Sequence, residues 1–430
     1  MNNMKDSGVE WIGKIPESWS VRKFKFATTI HEEKYTSGNY QYIALENIES
    51  FSGKYIHSDS IYDLAGSKIA NTGDVIFGKL RPYLGKVFEI TEKVCVSNEF
   101  AIFHGKLVNS HYLKYYMINS CFVNHVTSST YGTKMPRAHI NFISSCFITV
   151  PSPTDQEQIV HFLDNKCSQI DALIANTGNQ IAKLKQYKQS LITEAVTKGL
   201  DPTVPMKDSG VEWIGKIPKS WRIIRLKHLY DYSNGSPVRV GPFGSALPSS
   251  DITNQGVWVY NQRTVLDQNF ITNNTFVSEE KASELSGFAV HPKDILITTR
   301  GSIGKTAIVP DSAPKGILHP CVIRFRIDSK KMDNALLSLI FNETNICLGQ
   351  IMDMSNSTTI EVLYSYSLKA IWIPCPPTCE QCEVLERVRE LIQKFDRLIE
   401  LKQSKIEKLE EYKKSLIYEY VTGKKEVEHG

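Results

Sequence analysis

The chain contains one segment twice. Met4 to Trp19 reads MKDSGVEWIGKIPESW and Met206 to Trp221 reads MKDSGVEWIGKIPKSW, at a constant offset of 202 residues, with only Glu17 and Lys219 different. A duplication on this scale confines the fold to two copies of one structural unit, which usually relate by a pseudo-twofold axis. A second echo follows the first in each copy. Tyr187–Thr197 reads YKQSLITEAVT and Tyr412–Thr422 reads YKKSLIYEYVT, at an offset of 225. The stretches between the echoes, roughly 27–150 and 229–373, have diverged. Matched ends with unmatched middles describe a shared frame that carries two different recognition surfaces. A frame of this kind suits a ligand that is itself two-headed.

The frame is helical. Cys167, Ile170, Ile174, Thr177, Ile181, Leu184, Lys188, Leu191 and Ala195 follow alternating steps of three and four. The same register gives Ile392, Phe395, Ile399, Lys402, Ile406, Leu409, Lys413, Leu416 and Tyr420. Such a stripe predicts coiled-coil packing, and the two copies are expected to pair antiparallel. Lys188 and Lys413 fall at matching core positions, where they snorkel or select a register. Each helix is expected to start near Asp155 or Glu380 and run some forty residues, on the order of 60 Å. Prolines announce both starts, in ITVPSPTDQEQ from Ile148 and IWIPCPPTCEQ from Ile371. Gly199 and the following DPTVP make a short linker into the second copy.

The length of 430 residues allows two to four domains with their own cores. A formal net charge of +4 is compatible with nucleic acid without requiring it. Apolar runs such as Ala335–Phe341 fall far short of the ~18 residues of a membrane span. With no apolar leader and nine scattered cysteines, the expected setting is reducing and cytoplasmic, with no membrane partner.

The variable halves read as mixed α/β with short strands at Gln41–Leu45, Asp74–Phe77, Ala101–Phe103, Asp294–Thr298 and Cys321–Arg326. Loops on such scaffolds carry the binding groups. After the strand DVIF comes Gly78-Lys79-Leu80-Arg81-Pro82-Tyr83-Leu84-Gly85-Lys86, and after DILI comes Thr298-Thr299-Arg300-Gly301-Ser302-Ile303-Gly304-Lys305. The spacing aligns Arg81 with Arg300 and Lys86 with Lys305. Arg and Lys beside glycine can approach phosphates or base edges closely. The candidate DNA contacts are Lys79, Arg81, Tyr83 and Lys86 in the first half, and Arg263, Arg300, Ser302 and Lys305 in the second. A polar loop before the last strand of each half adds Thr133 and Lys134, and Thr358. Ser245, in Gly241-Pro242-Phe243-Gly244-Ser245, has no first-half counterpart.

Catalytic signals fail in detail. Gly304-Lys305-Thr306 ends like a phosphate-binding loop, but the glycine required five residues earlier is Thr299. Cys375, Cys379 and Cys382 have the spacing of a cluster-binding triplet, yet only 48 residues follow Cys382. No zinc quartet, nucleophile elbow, amino-methyltransferase tetrapeptide or glycine-rich cofactor loop occurs in the sequence. The expectation is a binder with no catalytic residues, no metal site and no cofactor of its own.

Taken together, the paired SGVEWIGKIPxSW segments, LRPYLGK at 80–86, GPFGS at 241–245, the proline-rich stretches ending in Glu157-Gln158 and Glu380-Gln381, and the helices ending SLIxExVT resemble one known family. This is the specificity subunit of type I restriction–modification systems, and the resemblance spans essentially the whole chain. It implies target recognition domains at 1–153 and 201–376. It also implies conserved helical regions at 154–200 and 377–430 that form an antiparallel coiled coil. Each recognition domain would read one half of a bipartite, asymmetric site in double-stranded DNA, with half-sites about one helical turn, roughly 34 Å, apart. Two modification subunits would bind the chain, carry S-adenosylmethionine and methylate adenine; restriction subunits, where present, would use ATP and Mg. One departure is visible: in place of GPFGS the first half has Tyr42–Glu49, YIALENIE. Two rival readings are a stand-alone DNA-modifying enzyme and a coiled-coil scaffold. Methyl transfer or bound iron in the single chain would mark the first. DNA binding unchanged by replacing Arg81 and Arg300 would favour the second.

Overall fold

The computed structural model describes residues 3–427 except 59, 61, 131, 133, 234, 273 and 356–361. The chain divides into two units, one made of Met1–Asn179 with Lys402–Gly430 and the other of Gln180–Leu401.

In the first unit, the repeated segment folds into a hairpin that pairs Met4–Asp6 with Lys14–Pro16. Its Ile12, Ile15 and Trp19 are buried. Ser20–Lys23 then pairs with Phe147–Val150. The main sheet is antiparallel, in the order Thr28–His31, Phe100–Gly105, Asp74–Gly78, Val87–Glu89. Side chains alternate across it with the strand period of two. Val75, Phe77, Ala101 and Phe103 face a core shared with helices Ser110–Ile118 and Ser120–Ser128. Ile76, Phe100 and Ile102 face a second core under a small sheet of Tyr42–Ile43, Val94–Val96 and Lys68–Ala70. With both faces covered, every residue of Asp74–Gly78 is buried.

The second unit repeats this plan. Met206–Asp208 pairs with Lys216–Pro218, and Arg222–Arg225 with Trp372–Cys375. Its main sheet runs Val238–Val240, Val322–Phe325, Ile295–Thr298, Thr306–Ile308. Ile295, Ile297, Ile323 and Phe325 lie in one core, Leu296 and Val322 in the other. No single helix among the described residues is long and apolar enough to cross a membrane. The bent pair Asn334–Glu343 and Ile346–Met354 passes that test by composition alone. Its Leu336, Leu337, Ile340, Ile346 and Ile351 are buried in the core of the unit.

The expected long helices are Pro153–Lys198 and Thr378–Val421, of 46 and 44 residues. Proline suits the first helical turn, where its missing N–H leaves no bond unmade. Every predicted stripe position is buried or half-buried. In the first unit, Cys167 and Ile170 share a core with Leu416, Ile417 and Tyr420 of the second long helix. In the second unit, Ile192 shares one with Leu391 and Phe395. The stripe lysines are paired: Lys413 Nζ lies 2.7 Å from Asp171 Oδ1, and Lys188 Nζ lies 2.8 Å from Asp396 Oδ1.

Each helix start is latched by a buried glutamine. Gln156 donates to the carbonyls of Leu107 and Pro151 and accepts from Asn109 N–H. Gln381 does the same with Lys331, Pro376 and Asp333. Gln156, rather than Gln158, is therefore the counterpart of Gln381, so the proline-rich stretches match two residues earlier than their Glu-Gln letters suggest.

Candidate nucleic-acid interface

In the first unit, residues 79–86 join two adjacent strands, the first of them buried throughout, so the loop leaves a well-packed base. Gly78 N–H bonds the Lys86 carbonyl at 2.9 Å and closes it. A second segment straps it from outside. Ala138 N–H donates to the Lys79 carbonyl at 2.9 Å, Arg81 N–H donates to the Pro136 carbonyl at 2.8 Å, and Leu80 bridges Arg137. These bonds bring four predicted contacts together: Lys79, Arg81, Tyr83 and Lys134. They also add two residues the sequence did not single out. Met135 is exposed, and Arg137 holds Glu99 through two nitrogens. The strap joins stretches more than fifty residues apart, a pairing that no local pattern records.

Arg81 has a left-handed backbone, φ 50° and ψ 58°, and an exposed side chain. A bulky residue in that region is strained, and such strain clusters at working sites. Lys79 is half-buried; burial and nearby Lys68 push its ammonium below the usual lysine range, while Glu99 opposes them. Lys86 faces inward and donates to the Leu45 carbonyl at 2.7 Å, and burial lowers its ammonium too.

The second unit uses different chemistry on the same base. Thr298 N–H bonds the Lys305 carbonyl at 2.9 Å, Thr299 N–H bonds Cys321, and Leu363 N–H bonds the Thr299 carbonyl. Lys79 N–H bonds Glu99, whose neighbour Phe100 stands opposite Gly78 as Val322 stands opposite Thr298. Thr299 is thus the counterpart of Lys79. Continuing from there, Arg81 stands opposite Gly301, φ 61°, and Arg300 stands opposite Leu80. The expected match of Arg81 with Arg300 is off by one, because the second loop is one residue shorter. Lys86 and Lys305 do correspond, and Lys305, though exposed, also donates to a carbonyl, that of Asn342, at 2.7 Å. Thr306 Oγ1 is engaged with Ser338, so Gly304-Lys305-Thr306 is a structural turn.

Arg300 and Ser302 are exposed. Beside them, a Cβ on Gly301 would come 3.4 Å from Gln262 Nε2, which places the loop against the helix Gln262–Asp267. Arg263 projects from that helix, 83% exposed, and donates to Asp267 at 3.1 Å. Behind it lies a polar hollow of about 270 Å³ that includes Asn261, Thr264, Asn269 and Thr272. Ser245 and Phe243, the latter 87% exposed, leave the same end of the sheet just after Val240, which pairs with Ile323. The strand in that place in the first unit is Thr28–His31, whose His31 matches Arg239, so Glu33-Lys34-Tyr35, and not Tyr42–Glu49, stands where Gly241-Pro242-Phe243 stands. Thr133 and Thr358 lie outside the described residues. Among the described residues, no group of three or more His, Cys, Asp or Glu is arranged to hold a metal ion. Cys375 is buried, while Cys379 and Cys382 face out from the helix start.

Each unit thus offers an exposed loop with arginine, flanked by polar or basic side chains, at the end of a buried central strand. Such groups can bond phosphates and base edges, and apart from the shared lysine the exposed side chains of the two loops differ position by position. Comparison with known proteins agrees. A specificity subunit of the type I restriction enzyme MjaVIII from Methanocaldococcus jannaschii is 24% identical over 96% of this chain and 94% of its own. A chain from a study of the assembly and conformational transition of a type I R-M system has the same fold, with TM-score 0.72, 17% identity and coverage of 95% and 98%. The HsdS subunit from Thermoanaerobacter tengcongensis superposes with TM-score 0.52 at 16% identity, over 95% of this chain and 98% of that one. The description "Type I restriction modification DNA specificity domain" matches residues 20–186 and again 240–411, and so the chain belongs to that family and carries its domain twice.

Proposed function

We propose that this chain is the non-catalytic, sequence-reading subunit of a type I restriction–modification complex. Its recognition domains, 1–153 and 201–376, each read one half of a bipartite, asymmetric site in double-stranded DNA. Lys79, Arg81, Tyr83, Lys134 and Arg137 serve one half-site. Ser245, Arg263, Arg300 and Ser302 serve the other. The observation that carries the reading is the contrast in each unit between a repeated frame and an unrepeated loop. Two copies of one scaffold holding different side chains at the same place suit two different half-sites.

The helical regions, 154–200 and 377–430, form an antiparallel coiled coil that fixes the spacer. Supporting this, Asp171 meets Lys413 in one unit and Lys188 meets Asp396 in the other. Moving 17 residues forward on the first helix moves the partner 17 residues back on the second. Two modification subunits dock on the frame, supply S-adenosylmethionine and methylate adenine. Restriction subunits, in a system that cleaves, bring ATP and Mg. The complex works in the cytoplasm.

Binding of the assembled chain and modification subunit to a randomised DNA library tests the proposal. The expected result is enrichment of one two-part sequence, relaxed at one half by Arg81→Ala and at the other by Arg300→Ala. Salt-sensitive binding with no sequence enrichment would sink it.

A further inference from the structure

The repeated entrance segment is more alike between the copies than its fold requires. Ile12, Ile15, Trp19 and Ile214, Ile217, Trp221 are buried, so packing explains them. Gly8, Gly13, Gly210 and Gly215 all have φ between 66° and 72°, so turns explain them. Asp6 accepts from Gly8 N–H at 2.9 Å and Asp208 from Gly210 N–H at 2.8 Å. Ser7 and Ser209 cap Val9 and Val211 in the same way. Lys5 and Lys207 donate to the main-chain carbonyls of Glu17 and Lys219. Because the accepting atom is a carbonyl, the one difference between the copies is tolerated.

What remains is Glu10, Lys14 and Ser18, with Glu212, Lys216 and Ser220. All six are exposed, and none makes an ion pair or a side-chain hydrogen bond. The copies diverge immediately downstream, where the paired strand residues Ser20, Val21 and Arg22 have become Arg222, Ile223 and Ile224, so six retained exposed residues stand out. We propose that this face of each hairpin docks one copy of the same protein partner, the modification subunit. The face offers a carboxylate and an ammonium four residues apart. Half-buried Val9 and Trp11 border it in one unit, and Val211 and 38%-exposed Trp213 in the other. Trp11 stacks on His125 and Trp213 Nε1 donates to Asp353, so each indole is held beside a free carboxylate and a free ammonium, the composition of an interface anchor. A partner that fits it sets a base against Glu10 and an acid against Lys14. Two matching faces on two dissimilar domains call for two identical partners, whereas DNA half-sites differ and repel the carboxylate. The proposal rests on the reading of the chain as a specificity subunit.

The test is native mass spectrometry of the full chain mixed with its modification subunit. The unaltered chain is expected to hold two partners. Glu10→Lys with Lys14→Glu should leave one, as should Glu212→Lys with Lys216→Glu, and all four changes together should leave none. The paired swaps conserve net charge at exposed positions, so urea midpoints should not move; Glu10→Ala with Lys14→Ala provides a milder control, expected to weaken one site at least tenfold. If the quadruple variant keeps two partners while the complex still selects DNA sequence, docking lies elsewhere and the functional reading stands. If the unaltered chain holds no partner and selects no sequence, the functional reading falls and takes this proposal with it.

Discussion

Asp74 and Asp294 occupy the same place in the two units and meet different side chains. Each carboxylate lies at the start of the central strand, and each accepts a main-chain N–H three residues back, from Asn71 or His291, at 2.8 Å. Around Asp74 stand His104 Nδ1 at 2.9 Å and His31 Nδ1 at 3.1 Å. Around Asp294 stand Arg326 Nε at 2.5 Å and Arg324 Nη1 at 3.4 Å. The frame therefore demands a carboxylate, whose first task is to close the turn before the strand, and leaves the balancing charge free to change. The second unit has made the heavier electrostatic commitment. Arg324 is buried with its Nε unpartnered, and burial pulls its guanidinium below the usual arginine range while Asp294 holds it up.

The widest gap should open on deleting one partner from each carboxylate. Arg326→Ala leaves a buried carboxylate with the His291 N–H and the more distant Arg324, and should cost about 3–5 kcal/mol in urea unfolding. His104→Ala removes a bond that can be neutral and should cost about 1–3 kcal/mol. Equal losses would mean that the two sites are one device after all. The loops give a smaller contrast. Arg81→Gly should raise stability by about 1 kcal/mol through release of the left-handed backbone. DNA affinity of the assembled complex should fall in the same variant. Gly301→Ala, at the matching position, should lose about as much stability as Arg81→Gly gains. The smallest effect concerns the helix seam. Burial pushes the Asp171 carboxyl up, but Lys413 and Lys54 outweigh it and hold the carboxyl below the usual aspartate range. A depressed carboxyl stabilises the fold above the ordinary value of about 4 and loses that contribution as pH falls through the folded value. Asp171→Asn should therefore flatten the loss of stability below about pH 4, read as urea midpoints from pH 7 to pH 3. On the other seam Lys188 meets two carboxylates, Asp396 and Glu343, so the extra partner has the opposite sign.

The frame was legible because its signals are local. A stripe at steps of three and four, prolines before it, and short β-branched runs each speak of their own neighbourhood. The long helices, and the strands at Asp74–Gly78 and Ile295–Thr298, lie where those signals point. The reading slipped where position depends on distant pairing. Matching letters set Arg81 against Arg300 and Glu157-Gln158 against Glu380-Gln381; backbone bonds shift the first by one residue and the second by two. Lys86 and Lys305 each donate to a carbonyl, which composition alone does not reveal; Lys86 is half-buried while Lys305 stays exposed. Arg137 went unnoticed because it lies outside the loop it supports. The hollow beside Arg263 is built from residues 261–274 only once the chain folds, and no sequence pattern marks it.

The first unit is built from two separated stretches, and this has a consequence for the order of synthesis. The carbonyl of Val421 accepts hydrogen bonds from Tyr112 and Thr149, both wholly buried. Those bonds form only once the ribosome has made the second long helix. The unit spanning Gln180–Leu401 is contiguous and can close first. The domain translated first is thus the one completed last, and a premature stop before residue 402 strips the core of the amino-terminal half while leaving the later half whole.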